Sequence, residues 1–448
     1  MMPIAHFKKI YICLRIKEDA MPKTILIVGT LNTKEEEGHF LRRQIQKFGH
    51  SAVLMDVSMR RCSPHLESGD ISNVDVARAA GTTIEAVESL ERKPALEKMA
   101  EGAIKIAKRL YEEGRLDGVL GYGGSTGESI AVMVQKSLPL GLPKVLITTS
   151  LELASGSVEH KDIAIFPSIT DMTGRINKIN AVALAQAAAA ISGMVEARPE
   201  LPPEKPIVVA SQYGNTTPHI ERAKQILEER GYEFISFHAV GTGGKTLEEL
   251  VRSGLVAGVL DVTTHELIDW LFGGFSNAGP HRMEAAGEMG VPQVLVPGCL
   301  DMIQFWAKET VPEKFRGREF YFHNPNSTLV RATKEESAEV GKLFAQKVNK
   351  ARGPTLVAIP LKGWSICDTE GGLKTYYYDG TPTGRYWYNR EADDAFVKAF
   401  EQHLDWTKEN VDVIKAELHI NDPKFAELTA NALDDMIKGK WKKGKRYL

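Results

Sequence analysis

Short, unbroken apolar runs recur along the chain, and most of them close on Gly, Asp, Thr or Ser. TILIVGT (Thr24–Thr30), SAVLMDVS (Ser51–Ser58), Leu116–Leu120, LPKVLITTS (Leu142–Ser150) and the stretch from Ile163 alternate with segments of helical period. Runs this short and continuous mark parallel strands buried on both faces. The spacing predicts helices from the LNTKEEE turn to Gln46 (with Asn32 or Thr33 as N-cap), from Val74, over Ala95–Glu113, from Glu128, and over Ala181–Met194. The polar stretch from Arg60 to Asp75 is long enough to be a functional loop. After ARPELPPEKP (Ala197–Pro206), a Pro-rich linker, the same grammar restarts. Strands are expected from Ile207, over Tyr232–Ala239, over Ala257–Asp261, over Pro292–Met302 and from Thr355. Helices are expected from about Pro218 (Thr217 as N-cap), over Phe396–His403 and over Phe425–Lys438.

Strand–helix alternation in both halves argues for an α/β protein: two Rossmann-like, doubly wound parallel-sheet subdomains flanking a cleft. The expected divisions are residues 1–20 as an extension or tail, 21–198 as the N-terminal nucleotide- or anion-binding subdomain, and 199–206 as linker. Residues 207–440 then form the C-terminal subdomain, and 441–448 a basic tail. In such sheets ligands sit beyond the carboxyl ends of the strands. Thr30–Lys34, Asp56–Ser58, Gly121–Ser129 and Thr148–Ser150 are therefore expected to converge.

Composition narrows the function classes. The chain has 448 residues and a formal net charge of −2, which offers no electrostatic case for nucleic acid or an anionic membrane. No unbroken apolar run reaches transmembrane length. The four cysteines (Cys13, Cys62, Cys299, Cys367) lack metal-type spacing, as expected of a reduced cytoplasmic protein.

The chemically richest stretch is LDGVLGYGGSTGES (Leu116–Ser129), a strand turning through glycines into a helix. Such a turn exposes N–H groups at the positive end of the helix dipole, a ready anion site. It is neither the dinucleotide G-x-G-x-x-G at the first strand nor a P-loop, because no Lys follows the glycines. The candidate anion-binding residues are Thr30, Asn32, Thr33, Lys34, Asp56, Gly121, Gly123, Gly124, Ser125, Thr126, Gly127 and Glu128. A second glycine cluster, GTGGKT (Gly241–Thr246), has Ala239 where a P-loop needs Gly, so it reads as a helix-start turn with Thr246 as N-cap. In the second half, strand ends carry acids and bases. His265, Glu266, His323, Lys362 and Asp368 are the catalytic candidates, and Thr263, Gly274, Ser276, His281, Arg282 and Asn324 the substrate-binding ones. Asp261 and Asp301 are candidate metal ligands, although the scattered spacing resembles no compact metal motif. Taken singly, each of these could equally be a cap or a satisfied buried partner. YYYDGTPTGRYWYNR (Tyr376–Arg390) suits a stacked base, a surface flap or a dimer contact.

With these motifs placed, the chain resembles a family of bacterial and fungal proteins of unassigned reaction. That family shares its fold with the ATP-binding N-terminal region of the tomato tobamovirus-resistance protein. The resemblance runs from about Thr24 to Lys438 and rests on VGTLNTKEEE, GYGGSTGES, SITDMTGRINKI, DVTTHEL with GGFSNAGPHR, HNPNSTLVRAT, PLKGWSICD and ELHINDPKFA. It implies a nucleotide site at the glycine turn and a homo-oligomer; the cofactor candidates are ATP with Mg²⁺, or a divalent metal alone. Two positions depart from the family's usual motif: Asn32 replaces Asp, and Glu128 places a carboxylate where a hydroxyl would face phosphate. The resulting expectation is an enzyme that binds a small anionic ligand (ATP or another phosphate or carboxylate compound) for ATP-dependent transfer or ligation. The alternatives are a metal- or acid/base-assisted lyase or hydrolase on a small organic acid, and a ligand-binding regulator without turnover.

Overall fold

The computed structural model describes residues 22–60, 69–197, 199 and 202–447. The expected N-terminal tail and residues 61–68 of the Arg60–Asp75 loop lie outside the described residues, and the end of that loop, from Asn73, is already helical. The chain forms two compact units that divide between residues 201 and 202.

The first unit contains β1 (Thr24–Gly29), α1 (Leu31–Lys47), β2 (Ser51–Asp56), α2 (Asn73–Ala79), α3 (Ile84–Glu88), α4 (Arg92–Glu112) and β3 (Gly118–Gly123). It continues with α5 (Ser125–Lys136), β4 (Lys144–Thr148), α6 (Leu151–Val158), β5 (Ala164–Pro167) and α7 (Lys178–Glu196). Its five strands are all parallel in the order β2-β1-β3-β4-β5. The order reverses between β1 and β3, so the crevice that a doubly wound sheet offers to ligands opens there. Apolar clusters cover both faces, one around Leu26, Val28, Met99 and Val119, the other around Ile25, Ile27, Leu120 and Ile147. α7 is apolar enough in composition to cross a membrane, which unbroken runs alone do not reveal. Its Leu184, Ala187, Ala188, Ile191 and Val195 are buried in that second cluster, so the apolar stripe is a core face.

Two boundaries differ from the sequence expectation. β3 runs on through Tyr122 and Gly123, and α5 begins at Ser125, not Glu128. LNTKEEE is already helical: α1 starts at Leu31 behind Thr30 and kinks at Lys34 (φ −141°, ψ 40°). The cause of the kink is the fully buried Tyr122, whose hydroxyl donates to the Lys34 carbonyl (3.1 Å). Its ring also explains two glycines, since a Cβ at Gly29 would lie 2.1 Å from it and one at Gly38 2.4 Å from its hydroxyl.

The second unit contains β6 (Ile207–Gln212), α8 (Thr217–Glu229), β7 (Glu233–His238), α9 (Thr242–Arg252), β8 (Val256–Thr263), α10 (Glu266–Phe272), α11 (Ala285–Met289) and β9 (Gln293–Gly298). Then come β10 (Met302–Phe305), β11 (Phe320–Asn324), β12 (Ser327–Arg331), α12 (Lys334–Val348), β13 (Thr355–Pro360), β14 (Lys374–Tyr376) and β15 (Pro382–Tyr386). α13 (Arg390–His403), β16 (Val411–Ala416) and α14 (Pro423–Ile437) complete it. A six-stranded parallel sheet in the order β16-β13-β9-β8-β6-β7 repeats the first unit's grammar, with its reversal between β6 and β8. The expected single strand over Pro292–Met302 is instead two: β9 in the parallel sheet, and β10 in an antiparallel sheet of order β10-β12-β11-β14-β15. Cys299, at φ 59°, makes the corner between them. The aromatic stretch from Tyr376 is the β14–β15 hairpin at the edge of that antiparallel sheet.

If Tyr122 is the fixed wedge, Gly29→Ala should lower stability by about 1–3 kcal/mol through overpacking, read as a lower urea midpoint with an unchanged slope. An unchanged midpoint would show that the ring is not held against β1.

Candidate functional site

At the β1/β3 reversal the first unit has a cavity of about 540 Å³. Thr30, Asn32, Thr33 and Lys34 line it from the β1–α1 turn, and Gly124, Ser125, Thr126 and Gly127 from the β3–α5 turn. Met59, Val87, Leu90 and Ala95 supply an apolar wall, and Lys34, Arg60 and Arg92 the positive charge, against one lining carboxylate, Glu88. Eight of the twelve anion-site candidates therefore meet in one place.

The other four are used inside the fold. Asp56 accepts from the Leu31 N–H (3.0 Å) and from the N–H and hydroxyl of Ser58, so its carboxylate already occupies the start of α1. The Asn32 N–H is taken by Ser58 Oγ (3.1 Å). Gly121 lets α5 approach the sheet: a Cβ there would be 2.6 Å from that of Ala131. At Gly123 a Cβ would be 3.1 Å from the Glu128 nitrogen. Glu128 is buried and accepts from the Thr148 hydroxyl. It turns inward and does not line the cavity, so the expected repulsion of a bound anion does not arise.

α5 differs from α1 at its start. Its N-cap is Gly124, with no side-chain cap, so the first N–H groups of the helix carry no internal anion. Arg92 is the residue that sequence reasoning missed. Its Nη2 donates to Ser125 Oγ (3.1 Å) and Thr126 Oγ1 (3.0 Å), which holds a guanidinium over the turn. A signal was available: α4 begins Arg-Lys with no acid in its first turn, a placement that the helix dipole disfavours and that a local function would explain.

The second unit sorts its candidates differently. Arg282 is fully buried and bidentate on Asp261 (2.6 and 2.7 Å), bonds Glu266 (2.6 Å) and lies 3.5 Å from Glu248. The second oxygen of Glu266 accepts the Gly241 and Gly244 N–H groups (2.6 and 3.1 Å), filling the start of α9. GTGGKT is thus a helix-start turn, with Gly241 and not Thr246 at the cap. Glu248 accepts three backbone N–H groups, from Met283, Glu284 and Ala285. Burial pushes the carboxyls of Glu248 and Glu266 up and Arg282 draws them back, while the carboxylates hold Arg282 charged. Asp368 belongs to another network, accepting from buried Arg331 (3.3 Å) beside Asp393 (3.0 Å) and from the Trp364 N–H (3.1 Å).

The catalytic candidates do not form one constellation. His323 and Lys362 are exposed, whereas His265, Glu266 and Asp368 are buried. Of the substrate candidates, His281 is exposed and pairs with Glu284 (3.0 Å), and Asn324 caps its own turn through the Asn326 N–H. Gly274 and Ser276 wrap Asp269, which accepts the Ser276 N–H (2.9 Å), and the Thr263 hydroxyl bonds Thr216 (2.7 Å). The metal expectation does not fit. Among the described residues no group of three or more His, Cys, Asp or Glu is arranged to hold a cation. Asp261 is bonded to Arg282 and Ser211, and Asp301 Oδ2 is taken by Ser365 and Trp387 (2.9 and 2.8 Å).

Removing one partner from a buried ion network leaves charge uncompensated. Arg282→Met should therefore lose about 3–5 kcal/mol by chemical denaturation, and a change within error would refute the network's role. Asp301 supplies a pH test. Its Oδ1 is buried without a partner, and burial, helped by nearby Asp368, pushes its carboxyl up to about 6. A folded-state value above the unfolded one means that the native state holds the extra proton. This contribution is complete below about pH 4 and lost as pH rises through about 6. Asp301→Asn, which mimics the protonated acid, should flatten that part of the stability–pH curve. An unaltered curve would exclude Asp301 as its source.

Residues 23–200 match the N-terminal domain, and residues 205–437 the C-terminal domain, of the uncharacterised protein family UPF0261. A UPF0261 protein of Clostridium tetani is 40% identical over 426 residues, covering 93% of this chain and 100% of that one. One from Mesorhizobium japonicum is 38% identical, covering 92% and 99%. The ToMV resistance protein Tm-1(GCR237) of Solanum lycopersicum is 32% identical over 92% of this chain, which spans 55% of that protein. Among solved structures, a UDP-GlcNAc 2-epimerase from Neisseria meningitidis overlaps 61% of this chain and 82% of its own at 11% identity. Its TM-score of 0.20 is too low to carry a functional argument. With both halves matched in order, the chain belongs to the UPF0261 family.

Proposed function

We propose that the first unit binds a small anionic ligand, with the anionic group on the open start of α5. The observation that carries this reading is the contrast between two equivalent helix starts. Asp56 fills that of α1, whereas that of α5 has no side-chain cap and faces a cavity lined by Lys34, Arg60 and Arg92. Nothing in the lining other than Glu88 opposes an anion. The cavity's volume and its Met59–Val87–Leu90 wall suit a phosphate compound with an apolar or planar group attached. ATP is the first candidate, from the sequence resemblance to an ATP-binding region, and ATP-dependent transfer or ligation is the reaction class proposed. In this reading Arg92 and Lys34 neutralise the phosphates, the α5 N–H groups orient them, and the Ser125 and Thr126 hydroxyls hold Arg92 in place. The buried, unpaired-by-disulfide Cys299 and Cys367 fit the proposed cytoplasmic setting.

Calorimetric titration and thermal unfolding with ATP, ADP and inorganic phosphate, each with and without Mg²⁺, test this reading. A ligand of the native state raises the unfolding midpoint. Arg92→Ala removes a charge-assisted bond and should weaken binding by roughly 10- to 100-fold without lowering the midpoint of the free protein, since Arg92 is exposed. Glu128→Thr should leave the ligand's affinity unimproved and lower the midpoint, because Glu128 is a buried partner of Thr148. No stabilisation by any of the three phosphates would refute the proposal.

A further inference from the structure

The second unit's sheet reverses between β6 and β8, and the chain leaving those two strands carries Tyr213 and His265. His265 is fully buried, and neither of its ring nitrogens has a hydrogen-bond partner. Its ring lies against half-buried Tyr213 (centroids 5.0 Å apart), and Tyr213 also stacks against exposed His238 (5.2 Å). Tyr213 thus touches both an unsatisfied buried imidazole and an exposed ring.

Other polar groups near His265 are already committed. The Thr216 and Thr263 hydroxyls bond each other, and that of Thr264 donates to the Val296 carbonyl. A second unpaired atom lies beside the β6–α8 turn, on Asn421. Its Nδ2 donates to the Asn215 carbonyl (3.0 Å), two residues from Tyr213, while its Oδ1 is buried without a partner. Buried polar atoms in native proteins are nearly always paired, so several unpaired ones on one sheet edge ask for an explanation. In a doubly wound sheet the carboxyl edge at the reversal is where a ligand supplies the missing partners.

We propose that this edge is a second binding site, for an uncharged, hydroxyl-bearing ligand such as a sugar or polyol. His265 and Asn421 are its hydrogen-bonding residues and Tyr213 is part of its wall. The open valences decide the class. Neutral imidazole offers one N–H and one lone pair, and Asn421 offers an acceptor. A hydroxyl group matches both kinds, because it donates and accepts. An anion has no free partner here, since the neighbouring cation, Arg282, is enclosed by Asp261, Glu266 and Glu248. The exposed ring of His238 suits the C–H face of a sugar ring. This site shares no residue with the first unit's cavity, so either assignment can fail alone.

The test is NMR of the full chain labelled at histidine, titrated with glucose, N-acetylglucosamine, ribose and myo-inositol. Acetate and inorganic phosphate serve as anionic probes. At least one uncharged probe should shift the His265 ring signals saturably and raise the unfolding midpoint by about 2 °C or more. His265→Phe keeps the ring and removes the unsatisfied nitrogens. It should abolish that midpoint rise while leaving the free protein as stable as wild type or more so. Asn421→Ala should weaken the response. Silence toward every uncharged probe, a response confined to the anions, binding that survives His265→Phe, or a free His265→Phe protein that melts well below wild type would each overturn the assignment.

Discussion

A carboxylate can be buried only where N–H groups or a guanidinium surround it, and both units of this chain are arranged around that constraint. Asp56 sits on the start of α1, and Glu266 on the start of α9. Glu248 gathers three backbone N–H groups before α11, and Asp261 takes both arms of Arg282. Each acid satisfies donors that the fold would otherwise leave bare, and each is therefore withdrawn from chemistry. Acids at strand ends suggest a reaction centre when they are seen one at a time. Traced to their partners, most of them are internal ligands for the protein's own backbone.

That reading shows where the exceptions are. At α5 the equivalent position holds no acid, the cavity beside it is cationic, and Arg92 is held over the turn by two hydroxyls. At the edge of the second sheet the exception is of the opposite kind: His265 is buried and receives nothing. An unfilled helix start beside a cationic cavity and an imidazole without a hydrogen-bond partner are the features on which the two proposed sites rest.

Tyr122 connects the core of the first unit to its cavity. One ring explains the glycines at 29 and 38, bends α1 at Lys34, and so sets where the Lys34 side chain begins. A residue that does not line the cavity thus shapes it through packing, in the way that rigid scaffolds position turns.

The sequence alone determined the strands and most helices of the parallel sheets, because doubly buried strands must be continuous apolar runs and helices must show their own period. It also determined the glycine turn, since only a residue without Cβ allows α5 to approach so closely. What it left open was every question of partnership. Glu128 reads as a carboxylate facing the ligand, yet Thr148, twenty residues on, turns it inward. Arg92 lies thirty-three residues from Ser125, in a helix that no local pattern connects to the glycine turn. The antiparallel sheet escaped notice because the apolar run through Pro292–Met302 is broken only by the corner at Cys299, where positive φ, and not composition, ends one strand and starts another. Periodicity reports which face of an element is buried. Which side chain meets which across the chain is decided only when the strands find their order in the sheet.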